Sequence, residues 1–156
     1  WKLASNLDTP SRVLTRLTSD ARRPVRLAAL HHRNLPVSVL TTMAADGDVD
    51  VRRAVGVNIN TPLDVLATLA ADTDPGVRRL TALHPNTPLE TLKGLASDPN
   101  PVVMLAVAMH SRADRQLLLE LAYNDDVDVR VAAQERLRPL LRREIRDDIL
   151  ERWDVN

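Results

Sequence analysis

The feature that most constrains this chain of 156 residues is a repeat period. Prolines stand at Pro10, Pro36, Pro62 and Pro88, each 26 residues after the last, and Asp114 takes the next place. Three apolar columns keep the same interval: Val25, Val51, Val77, Val103 and Val129; Leu14, Leu40, Leu66, Leu92 and Leu118; Leu17, Met43, Leu69, Leu95 and Leu121. A fixed period of roughly 20–50 residues marks a solenoid, in which each unit buries its apolar face only against its neighbours. Such an array recognises its partners along an elongated surface and not in a catalytic cleft. The expected fold is therefore an all-α solenoid of about five two-helix repeats.

Each unit reads as two short amphipathic helices. In the first, Thr9, Thr61 and Thr87 are N-cap candidates and the following proline suits the first helical position. Leu66, Leu69 and Ala70 then fall at i, i+3 and i+4, as do Leu92, Leu95 and Ala96, which gives one apolar stripe. The helix stops near Asp20, Asp46, Asp72 and Asp98, among turn-forming residues. A second helix starts at Asp48, Asp74, Asn100 and Asp126, again good N-caps, with Val51, Ala54 and Val55 as the stripe of one copy. Helices of two or three turns do not persist alone, so stacking must hold them.

At the start of the chain, Trp1–Pro10 lies over Arg53–Pro62, so Asn6 matches Asn58 and the sequence opens inside the last turn of an earlier unit. The array runs over residues 1–137. Beyond Leu137 the register breaks: Pro139 can open a helix, and Leu141, Ile145, Ile149 and Trp153 recur every four residues on one side. Residues 138–156 thus read as an amphipathic C-terminal helix capping the last layer.

The motif Leu-x-x-Leu-Ala-x-Asp-Pro-x-x-x-Val-Arg, followed by Ala-Val-x-x-Asn-x-x-Thr-Pro, resembles the leucine-rich repeat variant family, HEAT-like repeats of bacteria. Leu92, Leu95, Ala96, Asp98 and Pro99 carry it in one unit, Asp72, Pro75, Val77 and Arg78 in another. The resemblance implies a right-handed superhelix in which one helix of each pair is 3₁₀. The unit is about two residues longer than the usual family repeat, which leaves room for two α-helices. With no cysteine in the chain, the iron–sulfur appendage of the family cannot be carried over.

Composition narrows the chemistry. Without cysteine there is no disulfide, thiol nucleophile or thiolate metal site, and the chain suits a reducing compartment, which we take to be the cytoplasm. No apolar run approaches the roughly 20 residues needed to cross a bilayer, so no membrane association is expected. Net charge is zero but uneven: residues 1–36 carry seven Lys/Arg against two Asp/Glu, and residues 37–135 carry eight against fourteen.

The arginine column Arg26, Arg52, Arg78 and Arg130 could track a polyanion, but with Asp46, Asp72 and Asp98 it reads better as a structural ladder between neighbouring units, which Met104 interrupts. His32, His84 and His110 share a column with Asn6, Asn58 and Arg136. Layers roughly 8–10 Å apart do not bring successive histidines onto one zinc ion, whose ligands sit about 2 Å away. Asp46, Asp48 and Asp50 open like a calcium loop but lack its closing glutamate and glycine. No metal, cofactor or catalytic group is expected, and no phosphate loop or nucleophile elbow occurs. The reading is a non-enzymatic scaffold that binds a protein or peptide along its second helices, where Arg22, Arg23, Arg53, Arg79, Val57 and Leu83 vary between copies. The alternative is a nucleic-acid phosphate binder working through the basic N-terminal units, with Arg12, Arg16 and Arg33 added to the patch.

Overall fold

A computed structural model describes Asn6 and residues 8–153, with side-chain surroundings up to Arg143. The overlay of Trp1–Ser5 and Leu7 on a later unit, and the faces of Ile145, Ile149 and Trp153, lie outside the described residues. Ten helices and no strand occur among them. They are α1 (Ser11–Leu17), α2 (Arg23–Leu30), α3 (Val37–Met43), α4 (Val49–Val57), α5 (Leu63–Leu69), α6 (Pro75–Leu83), α7 (Leu89–Leu95), α8 (Pro101–Met109), α9 (Arg115–Leu121) and α10 (Val127–Trp153). Both helices of each unit are α-helical, so the 3₁₀ helix that the family resemblance implies is not found among the described residues.

Equivalent residues occupy equivalent places. Leu14, Leu40, Leu66, Leu92 and Leu118 are each 0% exposed. Burial of a leucine contributes about 1.5–3 kcal/mol relative to exposure, so this column alone supplies much of what seven-residue helices lack in themselves. Val25, Val51, Val77, Val103 and Val129 are buried beside it. In the column from Leu17 to Leu121, Leu69, Leu95 and Leu121 are buried while Leu17 and Met43 are only partly so, and the packing tightens toward the C-terminal units.

Second helices stack directly on one another, from α2 through α4, α6 and α8 to α10, whereas first helices pack chiefly against second helices. Small residues permit the close approach: a Cβ on Gly56 would already meet the Leu80 and Thr81 side chains at 3.7 and 3.9 Å. Layers that are tight on one side and open on the other curve the array toward the tight side. Accordingly, grooves of about 700 and 370 Å³ open between α5 and α7 and between α3 and α5, along the first helices.

Local chemistry explains most boundaries. Asp48, Asp74, Asn100 and Asp126 cap the second helices, accepting from the N–H of Asp50, Val77, Val102 and Asp128 respectively. The first helices differ from the sequence expectation. Pro10, Pro36, Pro62 and Pro88 occupy the N-cap itself, without a side-chain hydrogen bond. Thr61 and Thr87 are buried and donate backwards, to the carbonyls of Val55 and Thr81 at 2.6 Å, which also accept the Asn58 and His84 N–H that close the preceding helices. Pro139 also departs from expectation: it does not open a separate helix but lies inside α10, which runs unbroken from the fifth unit into the tail. An interior proline forfeits one helix bond and costs about 3 kcal/mol. Leu137, buried, and Leu141, packed on the same core, anchor the helix on either side of it.

Candidate interaction surface

Two ladders fix the frame on which any surface site must sit. In the first, the Arg52 fork meets Asp72 across the layer, Nε to Oδ2 at 2.6 Å and Nη2 to Oδ1 at 3.0 Å, while its Nη1 donates to the Asp46 carbonyl at 2.9 Å. Arg78 repeats this with Asp98 (2.6 and 2.9 Å) and the Asp72 carbonyl (2.9 Å). Burial opposes the charge on Asp72 and Asp98. The guanidinium fork and the N–H of Asp74 or Asn100 outweigh it and hold both carboxyls below their ordinary range.

The ladder is not uniform. Arg26 reaches Asp48 at 3.7 Å and not Asp46, whose carboxylate accepts the Asp48 N–H at 2.8 Å as Asp72 and Asp98 accept theirs. Where Met104 replaces the arginine, Asn124 replaces the aspartate, and the Asn124 amide donates to the Met104 sulfur at 3.3 Å. Loss of one charge is matched by loss of the other, as burial demands. Arg130 donates to the carbonyls of Asn124 and Asp125 at 2.5 and 3.1 Å.

The second ladder is the histidine column, whose layer spacing argued against a shared zinc ion. Asn34 N–H donates to His32 Nδ1 at 3.0 Å, which leaves the opposite ring N–H to donate to the Asn6 carbonyl at 2.9 Å. His84 and His110 do the same to the carbonyls of Asn58 and His84, at 2.9 and 3.0 Å. Asn58 and Arg136 continue the column with donations to the His32 and His110 carbonyls at 3.3 and 2.9 Å. Both nitrogens of each ring are committed, and the neutral tautomer is set by the backbone. Burial lowers the pKa of His84, aided by His110 and opposed by the Asn58 carbonyl.

The outward face of the second helices carries the residues singled out from sequence. Arg22 pairs with Asp20, Nε to Oδ1 at 3.0 Å, and its bonds draw the Asp20 carboxyl from 3.8 down to about 2. Arg23 pairs with Asp48 and Asp50, and Arg53 with Asp74 and Asp50. Arg79 is exposed and meets no acid among the described residues. Val57 and Leu83 are exposed one turn beyond Arg53 and Arg79. Sequence reasoning passed over the rest of the strip: Met109 continues the Val57 and Leu83 column at 61% exposed, with Val102 at 49% and Val131 at 45% on the same side. The signal was available, since α8 reads Pro-Val-Val-Met-Leu-Ala-Val-Ala-Met with no polar residue.

The leucine-rich repeat variant family profile matches residues 75–100. A solved structure described as a leucine-rich repeat variant with a novel repetitive protein structural motif is 36% identical, over 85% of this chain and 52% of that one, with a TM-score of 0.66. This chain therefore spans about half the length of that protein. An engineered protein of 18% identity shares the fold, covering 88% of this chain and 86% of its own with a TM-score of 0.51. No curated protein matches.

Proposed function

We propose, on the premise that this chain belongs to the leucine-rich repeat variant family, that it is a non-enzymatic scaffold binding a protein or peptide along its second helices. One observation carries the reading. A helix that is apolar all round belongs in an interior, yet α8 leaves Val102 and Met109 in solvent beside Leu83 and Val131. Contiguous exposed apolar side chains rimmed by polar ones mark interaction sites, and a rigid array with close-stacked second helices presents them without reorganisation. The phosphate-binding alternative draws less support, because Arg22, Arg23 and Arg53 already spend their guanidinium groups on the chain's own carboxylates. Compartment and source stay with the sequence expectation; among the described residues no helix is long and apolar enough to cross a membrane.

A random peptide library selected against the immobilised chain tests this. Selected peptides should bind the folded protein and lose binding to Met109→Asp, which alters an exposed position and spares the core. Peptides indifferent to substitution anywhere on α6, α8 and α10, or a library that returns none, would refute the reading.

A further inference from the structure

Resting on the interaction reading above, we infer that the occupant of this face is a peptide segment carrying a carboxylate among apolar side chains, and that Arg79 receives it. At the joint between α4 and α6, Arg53 donates to the Asp74 carboxylate from Nε and Nη2, at 3.2 and 3.0 Å. Its side chain lies where a Cβ on Gly76 would be, within 2.9 Å. One unit later the arginine is kept as Arg79 but the other two places change: the aspartate is Asn100 and the glycine is Val102. Asn100 still caps its helix, accepting the Val102 N–H at 3.0 Å, but it brings no charge. In the following unit the arginine itself gives way to Leu105.

Arg79 is thus a guanidinium left without its acid where the ion-paired half of the face ends and the apolar half begins. A tracking polyanion needs several uncompensated cations in a row, and the neighbouring ones are paired. A single exposed fork suits one carboxylate, which it can hold with two parallel bonds. Leu83, Val102 and Met109 beside it supply the apolar part of the contact. Spacing adds a further requirement. Packed helices stand roughly 8–10 Å apart, and an extended polyproline-like strand advances about 9.3 Å in three residues. An acid on Arg79 therefore places the third residue along the peptide opposite the next layer, over Leu105, with Met109 one turn beyond it.

The same peptide selection separates this inference from the reading beneath it. Selected sequences should be enriched in Asp or Glu three residues from an apolar side chain. Arg79→Gln should weaken them about tenfold or more, the scale of one hydrogen bond to a charged group. Arg79→Lys should recover part of the loss, and Lys93→Gln on the first-helix side should change nothing. Circular dichroism should stay unchanged throughout, because Arg79 is exposed and holds no internal partner among the described residues. Peptides that depend on Met109 but ignore Arg79→Gln would overturn the inference and leave the scaffold reading standing; peptides that ignore both would end both. A short DNA duplex is the remaining probe. Binding that falls steeply with salt and survives Arg79→Gln would overturn the acidic-peptide occupant in favour of phosphate.

Discussion

Replacing the Arg78–Asp98 rung with the pair this chain already uses one unit later, methionine and asparagine, should cost far less than breaking the rung on either side. The Arg78 and Asp98 side chains are 14% and 4% exposed and bonded at 2.6 Å, so solvent screens the pair weakly. At a charge separation of about 4 Å and an effective dielectric near 20, their attraction is about 4 kcal/mol. Arg78→Met alone strands the Asp98 carboxylate with only the Asn100 N–H at 2.9 Å, and should destabilise by about 3–5 kcal/mol. Asp98→Asn alone leaves a guanidinium that keeps the Asp72 and Thr73 carbonyls, and should cost about 1–3 kcal/mol. Arg78→Met with Asp98→Asn removes both charges together, as Met104 and Asn124 do, and should cost about 1–2 kcal/mol. Urea unfolding of the four proteins, followed by circular dichroism, gives the coupling as the shortfall of the double variant from the sum of the singles. A shortfall of about 2–7 kcal/mol is expected from these ranges. Agreement with the sum to within about 0.5 kcal/mol would mean that the two side chains act independently, and that the paired change at Met104 and Asn124 has no energetic meaning. Acid supplies an internal check. Because the Asp98 carboxyl lies below its ordinary range, the rung's stabilisation is complete above about pH 4 and is lost as pH falls through the folded value, and Arg78→Met should remove that loss.

His84→Asn, which copies Asn58, should keep the cross-layer donor and cost little, whereas His84→Leu leaves the partly buried Asn86 N–H without its acceptor and the Asn58 carbonyl with only the Thr61 N–H, and should cost about 1–3 kcal/mol by urea midpoint. Since burial lowers the folded pKa of His84 below 6.5, wild-type stability should be flat above that pH and fall on acidification, with a shallower fall in His84→Asn. Gly94→Ala places a methyl where nothing lies within 4 Å and should stabilise α7 by about 0.5–1 kcal/mol. Gly76→Ala, with its Cβ 2.8 Å from the Asp74 carboxylate and 2.9 Å from the Arg53 guanidinium, should lose that gain or reverse it; thermal melts of the two proteins make the comparison.

What is legible in the sequence is whatever repeats, because a column of identical residues needs no knowledge of distance to be read as a layer. Leu40, Leu66 and Leu92 announce the core in this way, and Asp74 and Asn100 announce helix starts from local chemistry alone. Contacts between layers are harder, since they join residues about 20 apart whose offset only packing decides. The histidine column is visible in the sequence, but the donation from each ring to the carbonyl one unit earlier is not. Pro139 shows the converse error: the local rule says that a helix starts there, and burial of Leu137 with packing of Leu141 overrides it. The surface lies between these cases. Arg23, Arg53 and Arg79 look alike as a basic patch until each is laid against the acid that stands across the joint. The first two are cancelled by Asp48 and Asp74, and the third faces Asn100. The informative unit in a repeat array is therefore the pair of columns and not the single one. A charge kept while its partner changes has lost its structural duty, and Arg79 is where this face departs from its own pattern.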